Sequence, residues 1–379
     1  ADGFLRHSGG RPLLLPRLMP IGDLDELDAA LPADEPLIGD GLELAPAIPP
    51  LRRRLLLARL ILGHKELGRH GATSPAQAAR LADGLARFLD QVQAERLSLD
   101  GLRDLVPENF AAHWQMTLDF LKILTEHWPR ILAEAGCLDG AERRNRVIEA
   151  ACRAWRAAPP DQPVVAAGST GTMPATAELL ELVAGLPDGA VVLPGLDSSL
   201  TADEAAALPE THPQFGMARL LARLGVAHRQ VATWPAPGCT ETTPARAALV
   251  NAALRPPDAA PAIVTIEVVR EAMAGVRLVA CPGAQEEAGV IALAMRRALE
   301  VKGRTAALIT PDRNLARRVA AELRRWDVAI DDSAGRPLAE TPPGTFLRLA
   351  ADLAAQRAAP LALLSLLKHP FASGAMDTA

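Results

Sequence analysis

Between residues 73 and 92 the chain reads "TSPAQAARLADGLARFLDQV", and the apolar positions Leu81, Leu85, Phe88 and Val92 return every three or four residues. That period predicts an amphipathic helix with one face on a core. Its start is written in polar residues. Ser74 is placed as N-cap, Pro75 at the first helical position, and Gln77 closes a capping box. A second helix is expected through Trp114, Leu118, Leu121 and Trp128. A third runs from about residue 142 to Trp155 and is stopped by Pro159 and Pro160.

After those prolines the pattern changes. "PVVAAG" (163–168) and "AVVLPG" (190–195) are short continuous apolar runs, as expected of strands buried on both faces. Helical patterns follow each of them, with Leu179, Leu180 and Val183 on one side of the first and "HPQFGMARLLARLGV" forming the second. Beyond a linker rich in Pro, Ala and Thr (235–261) the alternation resumes. It reads strand "VRLVAC", helix "QEEAGVIALAMRRALE", strand "TAALIT", helix "DRNLARRVAAELRRW" and strand "VAIDD". Asp312 is a good N-cap for the last helix, and Leu315, Val319, Leu323 and Trp326 are its buried stripe. Such alternation predicts parallel sheets with crossover helices. Near the N-terminus, "LLLPRLMPIG" (13–22) is one short strand broken by prolines, and residues 24–50 are acidic, proline-rich and mostly loop.

Composition narrows the function classes. At 379 residues the chain exceeds one ordinary core, and with 49% apolar residues each domain can bury its own. A net charge of −5 argues against a dedicated duplex-DNA binder, although a local basic groove remains compatible with it. The four cysteines form no CxxC pair, which points away from structural zinc and disulfides and toward a reducing cytoplasm. The opening residues do not read as a secretory leader, and no stretch approaches the roughly 20 apolar residues of a membrane span. The chain begins without Met and ends soon after an apolar helix, so a fragment is expected.

Candidate chemistry is sparse. "GSTGT" (168–172) offers glycines and hydroxyls without the Lys of a P-loop, and no GxGxxG is present. Ser169, Thr170 and Thr172 therefore have two readings: a strand-to-helix turn capped by Thr172, or hydroxyls facing phosphate oxygens at a helix start. Arg313, Arg317 and Arg324, spaced by four and seven, share one face of their helix opposite its apolar stripe. That face is either simply solvated or contacts the phosphates of single-stranded DNA. Arg52–Arg54 and "ERRNR" (142–146) are open to the same two readings. The histidines lack metal-ligand spacing. Glu286 and Glu287 suit a helix start, and Asp331-Asp332 suits a metal or a turn. With aromatics at 3%, a broad base-stacking surface is not expected.

The layout of residues 164–180 resembles motif II of superfamily I helicases of the UvrD and RecB type, in which a strand ends in Asp-Glu before a helix start like "TMPATAELL". Here Ala167 and Gly168 stand where the Mg²⁺-binding Asp and catalytic Glu would fall, and "VVLPGLD" has lost the motif III pattern. Neither residue can hold Mg²⁺ or activate water. The order "GSTGTMPAT", "LPGLD", "HPQFGMARLLARLGV", "DDSAGRPL", "LLKHPF" most resembles the AddB family, helicase–nuclease subunits with a degenerate helicase fold. A weaker likeness reaches "FLRHSGGRPLLLPRLMPIGDLDE".

This resemblance implies an α/β fold of two RecA-like parallel-sheet domains, of helicase 1A and 2A type, with a helical insert domain. Residues 1–50 would open the first α/β domain, 51–160 form the helical insert, 161–258 complete the first domain, 262–345 form the second, and 346–379 begin a truncated 2B-like region. It implies a non-catalytic part of a DNA double-strand break repair subunit that guides single-stranded or end-containing DNA and docks on an AddA partner. No cofactor, metal or membrane contact is expected, and the family's nuclease domain and iron–sulfur cysteines would lie beyond the C-terminus. The rival readings are a metabolic nucleotide- or sugar-binding enzyme on a doubly wound fold, with "GSTGT" as phosphate cradle, and an interaction module without DNA contact.

Overall fold

The computed structural model describes residues 18–21, 44–63, 74–99, 122–234, 243–255 and 264–372. The expectations for Trp114, Leu118 and Leu121, and most of those for residues 1–43, lie outside the described residues. The chain divides into two compact units, Ala1–Ala274 and Gly275–Ala379.

Unit 1 begins with helices α1 (Pro50–Gly63), α2 (Pro75–Ala94), α3 (Trp128–Glu134) and α4 (Gly140–Ala157). A single π-helical turn, Ile123–His127, leads directly into α3. The start of α2 follows its sequence signature: Ser74 Oγ accepts the N–H of Gln77, and the Gln77 side chain accepts the N–H of Ser74. Its buried face differs from the expected stripe. Ala78, Ala82 and Leu89 are buried while Leu81 and Phe88 are exposed, because small alanines let α1 lie close with Leu57 and Ile61 fully covered. Ile123, Leu124 and Trp128 close this core.

The same core holds a buried charge cluster. Asp139, with no exposed surface, accepts from Trp128 Nε1 at 2.8 Å and Gln93 Nε2 at 2.9 Å. Arg53 Nε approaches Asp139 Oδ1 at 2.8 Å without hydrogen-bond alignment, so that attraction is one of charge. Arg53 also pairs with Asp90 at 2.8 Å. Residues of α1, α2, α3 and the start of α4 are thus tied to one carboxylate.

Strand β1 (Val164–Ala167), helix α5 (Pro174–Gly185) and strand β2 (Gly189–Val192) form the expected parallel βαβ unit, with Val164 opposite Gly189 and Ala167 opposite Val192. Leu180 of α5 and Leu220 of α7 (Phe215–Leu224) pack on Ala166, Val191 and Leu193, covering one sheet face. A short helix α6 (Ala202–Ala206) precedes α7. The 235–261 segment, expected to be linker, contains α8 (Pro244–Leu254), started by Thr243 as N-cap and Pro244 at the first position. Helix α9 (Ile266–Ala272) packs beside α8, and Arg246 ties them through Ala272 O at 3.0 Å and Ala274 O at 2.8 Å.

Unit 2 has α10 (Ala284–Leu299), α11 (Arg313–Arg324), α12 (Pro342–Ala355) and α13 (Pro360–Leu367). Asp312 caps α11 by accepting the Asn314 N–H at 2.7 Å. Val319 and Leu323 are buried against Ala288 and Ala292 of α10, flanked by Leu315 and Trp326 as the pattern required. Arg296 lies over the Trp326 ring at 4.9 Å, a further tie between the two helices.

The architecture of two RecA-like parallel-sheet domains is not what forms. The described residues are 59% helical, and their one sheet is the two-stranded β1–β2 pair. In unit 2 the segments 276–281, 305–310 and 328–332 acquire no ladder partner among the described residues. Leu308 and Val328 rest on the α10–α11 pair, but Leu278 is 99% and Ile309 95% exposed. An apolar run marks a buried strand only where neighbouring strands and helices cover both faces, and that cover is missing here. Among the described residues the doubly wound fold of the rival enzyme reading lacks its sheet for the same reason.

Candidate functional site

The sequence candidates form two clusters, one in each unit. In unit 1 the β1–α5 loop brings Ser169, Thr170 and Thr172 together. Gly171 adopts φ +66°, a left-handed conformation that suits glycine, and a Cβ there would sit 3.1 Å from Leu220 and 3.3 Å from Leu180. Helix α7 approaches the loop through Gly216, where a Cβ would lie 2.7 Å from Thr172 Oγ1. The loop's polar atoms are largely spent on the loop itself. Ser169 Oγ accepts the Gly171 N–H at 3.3 Å, and the Thr170 and Thr172 hydroxyls share a 2.8 Å hydrogen bond.

Thr172 does not cap α5, as the turn reading required. Met173 occupies the N-cap, and α5 begins without a side-chain cap. No carboxylate stands in residues 164–173. The loop has no group of its own to hold a metal or to act as a general base.

In unit 2 the structure gathers Arg313, Arg317 and Arg324 along one groove of roughly 720 Å³. Its floor is apolar, from Ala320, Val328, Ala329 and Ile330, and its far wall is the 332–340 loop carrying Asp332, Arg336 and Glu340. Helical spacing aligns the three arginines, and the extended 328–330 segment lies alongside them.

The four guanidinium groups are not equivalent. Arg313 donates to both oxygens of Asp332, at 3.0 and 2.6 Å, and to Gly335 O at 3.3 Å. That fork holds the Asp332 carboxyl below its ordinary range, helped by the Ala334 N–H, and raises Arg313 in turn. Arg317 pairs with Glu340 at 3.0 Å and donates to Asn314 Oδ1 at 2.8 Å. Arg324 and Arg336 line the same groove, are exposed, and make no ion pair or side-chain hydrogen bond among the described residues. The groove thus presents two neutralised arginines and two uncommitted ones. An uncommitted guanidinium over an apolar floor suits a phosphate whose attached organic part lies along the floor.

Sequence reasoning missed Arg336, Asp332's pairing and Glu340. Only the proximity of "DDSAGRPLAE" to the α11 helix hinted at them, and no periodicity links a loop to a helix face. The reading of Asp331-Asp332 as a metal pair finds Asp332 turned to Arg313 instead. Among the described residues no group of three or more His, Cys, Asp or Glu side chains is placed to hold a metal ion. Likewise, among the described residues no helix is long and apolar enough to cross a membrane. No protein-family profile, no curated protein and no solved structure matches the chain.

Proposed function

We propose that this chain is a non-catalytic, strand-guiding part of a DNA double-strand break repair helicase–nuclease subunit of the AddB kind, docking on an AddA-type partner. The observation that supports it is the α11 groove, where Arg313, Arg317 and Arg324 converge with Arg336. Its contacts are with phosphate oxygens and so are independent of base sequence. The groove lining includes no aromatic side chain, which favours backbone contact over base stacking. The β1–α5 loop supports the non-catalytic half of the reading, since Ala167 and Gly168 stand where a motor would need its acidic pair.

Two measurements test the two halves. Fluorescence anisotropy with a labelled single-stranded 20-mer should show binding that weakens with salt and falls about tenfold or more in Arg324→Glu/Arg336→Glu. Equal affinity in that variant would remove the groove from the proposal. The chain should hydrolyse no ATP with or without DNA, and DNA-stimulated turnover abolished by a 168–172 loop substitution would overturn the non-catalytic reading.

A further inference from the structure

We propose, resting on the strand-guiding reading above, that the floor of the α11 groove discriminates between sugars: Val328, Ala329 and Ile330 accept deoxyribose and reject the 2′-hydroxyl of ribose. The floor owes its place to a reversal of the chain. After α11, Asp327 takes a left-handed conformation with φ +55°, and Val328 donates its N–H to Leu323 O at 3.2 Å. The extended residues 328–332 then run back beside the helix until Asp332 meets Arg313. Between Arg313 and Arg324 the helix rises about 16 Å, so the floor is long enough for a short run of nucleotides.

The uncommitted guanidinium groups stand to either side of that floor, Arg324 on the helix and Arg336 on the loop wall. In a nucleic-acid strand every internal sugar is bonded to a phosphate on each side. Where the flanking arginines hold phosphates, the sugars are the part of the strand that comes to rest on the floor.

The side chains of this floor offer a hydroxyl no partner. Val328 packs on the α10–α11 core with its N–H already spent on Leu323, and Ile330 is 39% exposed. No serine, threonine, asparagine, glutamine or histidine lines the groove. Its two carboxylates stand on the wall, each turned to an arginine, Asp332 to Arg313 and Glu340 to Arg317. A 2′-hydroxyl laid on the floor exchanges water for carbon, and a hydroxyl desolvated without a partner loses binding energy. The 2′ methylene of deoxyribose gains from the same contact. Since the 2′-hydroxyl is the group that separates the two kinds of strand, the floor selects the sugar while leaving the bases unread.

Fluorescence anisotropy of the whole chain with three labelled single-stranded 20-mers tests this. All three carry cytosine throughout and differ only in the sugar: deoxyribose, ribose, or 2′-fluororibose, which keeps the RNA-like pucker without the hydroxyl. The deoxyribose and 2′-fluoro strands should bind within about twofold of each other, and the ribose strand about fivefold or more weakly. A 2′-fluoro strand as weak as the ribose strand would assign the preference to strand shape and overturn the proposal. Three equal affinities would also overturn it, and if they still fell in Arg324→Glu/Arg336→Glu the strand-guiding reading would survive. Binding of none of the strands would overturn both. Ala329→Ser/Ile330→Ser, which puts hydroxyls on the floor, should narrow the ribose gap to about twofold. An unchanged gap in that variant, folded by its urea midpoint, would overturn the floor as the source of the preference.

Discussion

Two arginine–carboxylate clusters, one in each unit, are built from the same residue types and serve opposite ends. Around Asp139 the carboxylate is fully buried and meets Trp128, Gln93 and Arg53, so its charge is committed to joining four helical segments. Along α11 the charges lie at the surface, two arginines are held by Asp332 and Glu340, and two remain uncommitted over an apolar floor. Burial separates the roles. A buried pair costs several kcal/mol to break because the surviving ion is stranded, whereas an exposed pair is worth little and exchanges partners readily.

The largest expected effect breaks the first cluster. Asp139→Ala leaves the Trp128 Nε1 and Gln93 Nε2 donors unpaired and Arg53 with Asp90 as its remaining carboxylate, and should cost about 2–4 kcal/mol of stability, read by urea denaturation. A cost below about 1 kcal/mol would mean that the cluster does not hold the helices together. Next in size, Arg324→Glu/Arg336→Glu should leave the urea midpoint nearly unchanged while weakening single-strand binding about tenfold or more. A variant that lost stability instead would place those arginines with Asp139 rather than against it. Smaller again, Ser74→Ala should cost about 1 kcal/mol through the lost capping box. Asp332→Asn, which frees Arg313 from its carboxylate, should tighten binding a few-fold at low salt. Looser binding would show that Asp332 positions Arg313 rather than competing for it.

Local features were the most legible in the sequence. The capping box at Ser74, the cap at Asp312, the Val319/Leu323 stripe and the β1–α5–β2 unit rest on contacts between near neighbours, and spacing alone encodes those. The sheets of unit 2 failed as expectations for the complementary reason. "TAALIT" and "VAIDD" specify extended backbone, but a strand needs a neighbour, and no residue within either segment supplies one. The α2 stripe was right at Leu85, which packs on the core, and wrong at Leu81 and Phe88, because Ala78 and Ala82 weigh less on a hydrophobic pattern although close helix contact favours the smaller pair. The candidate groove was half legible: one helix period aligned Arg313, Arg317 and Arg324, while Arg336 and the two carboxylates arrive from a loop with no period to read. The family resemblance in "GSTGTMPAT" and "LLKHPF" concerns motif order, and supports the functional proposal without supplying a sheet.

The salt dependence of single-strand binding tests the central claim most directly. Plotting log affinity against log salt, with about 0.7 counterions released per phosphate contact, two uncommitted arginines predict a slope of about −1.4. Asp332→Asn/Glu340→Gln, with four arginines available, should steepen it to about −2.8, and Arg324→Glu/Arg336→Glu should flatten it toward zero. One common slope across all three proteins would contradict the account, because phosphate contact would then lie somewhere other than the α11 groove.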